Sequence, residues 1–148
     1  MADEGIRTVA IFNASADTVE MLRAILLHRG YRAIDGRADV VKSGRFDFIH
    51  FIETQNPDAV IWDIAPPYDR NWTFFKLLRS IGPLDGRPIV VTTTNKIHLD
   101  SLVGGDSGAL EIVGKPYDLE AIIDAVTRAI KRRGESAGPR AWGNLHQP

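Results

Sequence analysis

Four polar residues close apolar, strand-like runs: Asn13 after "RTVAIF", Asp63 in "AVIWDIAPP", Thr93 at the end of "PIVVTT", and Lys115 after "ALEIVG". An amide, a carboxylate, a hydroxyl and an ammonium group do joint chemistry only where they meet. Asp63 is the sharpest of the four, because Ala59–Trp62 is apolar throughout and Pro66 and Pro67 follow. Such an acid is either a loop-starting Asp that bonds its own backbone or a reactive group held at the rim of a sheet. Lys115 can likewise serve a site or form a plain ion pair with Asp63, and Asn13 is equally a turn residue or a ligand. No nucleophile–base pair is evident. The four histidines (28, 50, 98, 146) show no metal-ligand spacing, and "GGDSG" lacks the Lys-Ser/Thr of a phosphate loop.

These groups converge only if the runs before them are neighbouring strands. The pattern predicts strands over 7–12, 31–34, 58–63, 88–93 and 109–114. It predicts helices over 15–30, 46–56, 70–82, 95–104 and 118–133. Val19, Leu22, Ile25 and Leu26 recur at helical spacing, Ser15 suits the cap and Gly30 the stop. Leu119, Ile122, Ile123, Val126 and Ile130 form a second stripe behind Asp118 as N-cap, with the basic run 131–133 at the expected helix end. The run 58–63 is apolar on successive residues, as in a strand covered on both faces. Strict alternation of strand and helix implies right-handed crossovers and a parallel sheet in a three-layer α/β fold. Functional groups in such sheets lie at the carboxyl ends of the strands, where all four polar residues fall. The Phe46, Phe48, Phe51 and Trp72, Phe74, Phe75 groups read as core.

The bulk properties set bounds. A chain of 148 residues with 44% hydrophobic residues is one domain's worth and can bury a core without staples. A net charge of -1 gives no field for nucleic acid or anionic lipid, so neither partner is expected. With no cysteine there is no disulfide, thiolate metal site or thiol catalysis. No apolar run approaches the ~20 residues that cross a bilayer, and the acidic start is unlike a signal peptide. The expectation is a soluble cytoplasmic domain over 1–133 and a disordered tail over 134–148.

Over residues 7 to 131 the sequence resembles the receiver domains of bacterial two-component response regulators. "WDIAPPYDRNW" is similar to the segment around the family's phosphoacceptor Asp, with Pro67 four residues on and Asn71 at a Gly-like turn position, which implies positive φ there. "PIVVTTT" puts Thr93 at the hydroxyl position, and "GALEIVGKPYDLEAI" puts Lys115 at the lysine position. The resemblance implies a flavodoxin-like (βα)5 fold with a five-stranded parallel sheet in the order 2-1-3-4-5. It implies phosphoryl transfer from a kinase histidine to Asp63, with Mg²⁺ and Lys115 neutralising charge and Thr93 bonding a phosphoryl oxygen.

Three departures stand against the family pattern. The two adjacent acids that end its first strand are Asn13 and Ala14 here, so the metal set shrinks to Asp63 with a weak Asn13. At an effective dielectric of ~20, a carboxylate ~4 Å from a cation is worth ~4 kcal/mol per unit charge before desolvation. Mg²⁺ binding is therefore expected to be weak. The family's switch aromatic, three residues before the lysine, is Ile112. An insertion is placed at 35–45.

The resemblance with these departures describes a non-enzymatic, stand-alone, atypical receiver: a signalling module with Asp63 as candidate phosphoacceptor and a degraded Mg²⁺ site, acting through protein–protein contacts. Its implied partners are a histidine kinase or phosphotransfer protein, another signalling protein, and a second copy docking through the 95–130 face. The alternatives are a phosphorylation-independent pseudo-receiver, or a small-ligand binder on a flavodoxin-like fold.

Overall fold

A computed structural model of the chain describes residues 5–36, 47–80, 84, 86–103, 111–114 and 119–137. Among the described residues, five strands alternate with five helices: β1 (Thr8–Phe12), α1 (Ala16–His28), β2 (Arg32–Asp35), α2 (Phe48–Gln55), β3 (Ala59–Ile64), α3 (Tyr68–Ser80), β4 (Ile89–Thr93), α4 (Lys96–Val103), β5 (Glu111–Gly114) and α5 (Leu119–Ala137). All pairings are parallel. β1 lies between β2 and β3, β4 joins the far side of β3, and β5 pairs with β4 at the edge. The parallel α/β architecture expected from the alternation of elements is present.

Side-chain alternation along the strands divides the interior in two. Ala10, Phe12, Val60, Trp62 and Val91 face one layer, where they meet Phe48 and Ile52 of α2, Trp72, Phe75 and Leu78 of α3, and Leu99 and Val103 of α4. Val9, Ile11, Ile61 and Val90 face the other, against Val19, Leu22 and Leu26 of α1 and Ile122, Ile123 and Val126 of α5. The first layer is aromatic: the Phe12 ring stands 5.0 Å from Trp62 and 5.5 Å from Phe48, centroid to centroid. Trp72 is buried among them, and Phe74 packs against the same layer. Phe46 lies outside the described residues.

Ser15 caps α1, accepting from the Thr18 backbone N–H. Gly30 follows that helix at φ 90, a conformation that disfavours any Cβ. Gly36 serves a different need, because a Cβ there would lie 2.0 Å from Cε1 of Phe12.

Two expectations require correction. Asn71 is not a positive-φ turn residue but lies inside α3. The position that does adopt positive φ is Asn56, which caps α2 at φ 48. The last helix does not stop at 133 but continues through Gly134 to Ala137. One glycine costs a helix about 1 kcal/mol and need not end it. The basic run 131–133 consequently lies before the last turn. Residues 138–148, most of the expected tail, and 37–45, most of the expected insertion, lie outside the described residues.

Candidate functional site

Asp63 is the penultimate residue of β3, and Thr92 of β4 stands directly across from it in the parallel register. Thr92 Oγ1 donates to Asp63 Oδ1 at 2.6 Å. Thr92 is buried while Asp63 is half-buried, so the carboxylate keeps access to solvent and has a fixed donor on one oxygen. Such a bond to an ionised acceptor is among the stronger ones in proteins.

The resemblance places its hydroxyl position at Thr93, one residue further along. Thr93 pairs with Ile64 and is fully buried, and its hydroxyl accepts from the Asn95 backbone N–H at 3.3 Å. Three consecutive threonines, 92 to 94, leave the register open by one residue, and a slip of one residue reverses the face. Thr92 was legible only through the cross-strand pairing, since residues opposite one another share a face.

Asn13 follows β1 immediately, and Phe12 pairs with Trp62, so Asn13 and Asp63 leave the sheet at the same end. Asn13 is buried, and its Oδ1 accepts from the Ser15 backbone N–H at 2.8 Å. This is an Asx turn that sets up the N-cap of α1. Ala14 offers no side-chain ligand. Asn13 and Ala14 line a cavity of about 180 Å³ with Ala16, Val19, Glu20 and Asp35, bordering the site on the β2 side. Among the described residues no group of three or more His, Cys, Asp or Glu is arranged to hold a metal. Asp63 Oδ1 accepts from Thr92, and Asn13 Oδ1 accepts from the Ser15 backbone N–H. Asp17 is exposed on the first turn of α1.

The loop between β3 and α3 is tied at two points. Asn71 Nδ2 donates to the Ala65 carbonyl at 2.7 Å, bridging the loop that follows Asp63. Tyr68, the first residue of α3, shares a hydroxyl–hydroxyl hydrogen bond with Thr94. Its ring lies 5.3 Å from that of His98 on α4. Sequence reasoning missed Tyr68, because nothing local to "PPYDR" signals a partner beyond the next strand.

Lys115, Pro116, Tyr117 and Asp118 lie outside the described residues. Ile112 lies in β5, opposite Val91. Among the described residues, no helix is long and apolar enough to cross a membrane.

No family model matches the sequence. The chain is 33% identical to the transcriptional regulatory protein AfsQ1 of Streptomyces coelicolor, over 67% of this chain and 43% of that protein. It is also 33% identical to the response regulator MprA of Mycolicibacterium vanbaalenii, over 80% of this chain and 50% of that one. The chain thus spans about half the length of these curated relatives. Among solved structures, the chemotaxis protein CheY4 of Vibrio cholerae superposes with a TM-score of 0.62 at 20% identity, covering 84% of this chain and 99% of CheY4. That likeness establishes the CheY-like fold. Together with the relatives' sequences, it makes this chain a response regulator receiver domain.

Proposed function

We propose that this receiver domain is a signalling module whose output is a protein–protein contact, with Asp63 at the phosphoacceptor position and a metal site too poor in carboxylates to hold Mg²⁺ well. The observation that carries this reading is the pair of bonds at the carboxyl end of the sheet. Thr92 fixes Asp63 from one side. The residue where a metal ligand is needed, Asn13, spends its oxygen on Ser15 N–H.

In a phosphorelay, an Asp63 oxygen would attack the phosphorus of a donor phosphohistidine. The P–N bond breaks as the O–P bond forms, and the leaving imidazole nitrogen is protonated. The chain's own contribution is orientation of the carboxylate by Thr92 and positive charge from Lys115, with Thr93 on the same strand end. Of the two modes, phosphorylation-dependent and phosphorylation-independent, the engaged Asn13 oxygen favours the second. A histidine kinase or phosphotransfer protein remains the partner class for the first. A second signalling protein, or a second copy docking through 95–130, serves either mode. The domain then works in the cytoplasm and contacts neither nucleic acid nor membrane. A small-ligand binder has only the modest cavity beside Asn13 in its favour.

The test is incubation with acetyl phosphate, with and without Mg²⁺, followed by intact-mass spectrometry of the protein and of Asp63→Asn. The reading predicts little or no phosphorylated protein at millimolar Mg²⁺. Rapid, stoichiometric, Asp63-dependent labelling at that concentration would overturn the degraded metal site.

A further inference from the structure

The loops on either side of the Asp63–Thr92 pair are joined by an aromatic residue. Tyr68 opens α3, and its hydroxyl meets that of Thr94, which directly follows β4. Asp63 and Thr92 bond one layer further in. These two side-chain bonds close a ring. It runs from Asp63 across to Thr92, along the backbone to Thr94, across to Tyr68, and back through Ala65–Pro67 to Asp63. A displacement of Asp63 or Thr92 must be absorbed within this ring or passed on through it.

The outlet of the ring is α4. The Tyr68 ring lies against His98, in the first turn of that helix. The same turn is held by Thr93 and Asn95: Asn95 N–H donates to the Thr93 hydroxyl, and Asn95 Oδ1 accepts from His98 N–H at 3.0 Å. The body of Tyr68 is anchored, since it is half-buried and packs against the aromatic layer that contains Trp62 and Trp72. One end of the side chain is therefore fixed while its hydroxyl bridges two loops, an arrangement suited to transmitting a small movement between them.

We infer that Tyr68 is the positioning residue that couples the Asp63 side chain to the start of α4, through its hydroxyl on Thr94 and its ring on His98. The inference rests on Asp63 being the signalling position but not on its phosphorylation, so its test alters Asp63 directly.

The experiment compares amide NMR spectra of the wild type with Asp63→Asn, and of Tyr68→Phe with Tyr68→Phe/Asp63→Asn. In the wild-type background the Asp63 change should shift the amides of Asn95–Asp100. In the Tyr68→Phe background those shifts should fall by roughly threefold while the shift at Thr92 persists. Thr94→Ala should reproduce the reduction, and it serves alone if Tyr68→Phe does not fold. Equal α4 shifts in both backgrounds would overturn the coupling. So would α4 shifts that are absent in the wild-type background. Failure of acetyl phosphate to label Asp63 would leave this result untouched, so the two readings fail separately.

Discussion

Thr92 and Asp63 face each other across the β3–β4 register, and the buried threonine donates to the carboxylate at 2.6 Å. The neighbouring Thr93, equally buried, receives the Asn95 N–H on its hydroxyl. Two adjacent hydroxyls on one strand thus have separate tasks.

The two substitutions should separate accordingly. Thr92→Val keeps the shape of the side chain but removes a donor to an ionised acceptor, and should cost about 1–2 kcal/mol in urea unfolding. Thr93→Val removes a longer bond between neutral groups and should cost about 1 kcal/mol or less. The chemical shifts around Asp63 should move strongly in the first variant and weakly in the second. The reverse order would mean that Thr93 is the hydroxyl on the carboxylate in solution.

Gly36→Ala places a methyl group where Phe12 already sits, 2.0 Å from its ring. Phe12 is fully buried among Phe48, Phe51 and Trp62 and has little room to yield. The expected loss is about 1–3 kcal/mol by chemical denaturation. Gly30→Ala meets no neighbour within 4 Å but must hold φ 90. Its cost is about 1 kcal/mol, from backbone strain alone. A silent Gly36→Ala would refute the close approach to Phe12.

Arg29 links α1 to α5 through Glu120 at 2.6 Å and Asp124 at 2.9 Å. Its guanidinium pKa is raised, chiefly by the hydrogen bond to Asp124. A raised pKa means that this contribution is complete below the ordinary arginine value and is lost only as pH climbs through the folded one, so arginine deprotonation plays no part near neutrality. The pairs are exposed enough to be screened. Arg29→Ala should lower the melting temperature at low salt, and the difference should shrink at molar salt. A salt-independent difference would point to packing by the arginine stem instead.

Much of this architecture was legible in the sequence, because the apolar periods of the strands and helices are strong and strands alternate with helices among the described residues. The places that misled are physical in kind. The helix expected to end at 133 passes through Gly134 to Ala137. Asn71 reads as a turn residue, but its amide serves better inside α3, where it bonds the Ala65 carbonyl. At the candidate site, the sequence itself shows a carboxylate at Asp63 and none at Asn13 and Ala14. The bond from Thr92 to the acid was not legible, because a run of three threonines carries no register of its own. Nor was Tyr68, whose partners lie beyond the intervening strand.

The proposed reading of the metal site predicts that acids at 13 and 14 create a Mg²⁺ site. In Asn13→Asp/Ala14→Asp, the carboxylate at 13 still accepts from Ser15 N–H, and two negative charges join Asp63. Each is worth up to ~4 kcal/mol to a nearby cation before desolvation. Saturable Mg²⁺ binding should appear in the double variant, read from amide shifts at Asp63 and its neighbours. Its absence would show that Asn13 and Ala14 are not what weakens the site.

The most direct test of the central claim is a beryllofluoride titration of the wild type, with and without millimolar Mg²⁺, followed by amide NMR and by the fluorescence of Trp62, the residue before Asp63. No saturable, Mg²⁺-dependent response in the wild type, with one gained in Asn13→Asp/Ala14→Asp, is the predicted result. A saturable response in the wild type that disappears in Asp63→Asn would contradict the degraded metal site and make this an ordinary phosphoreceiver.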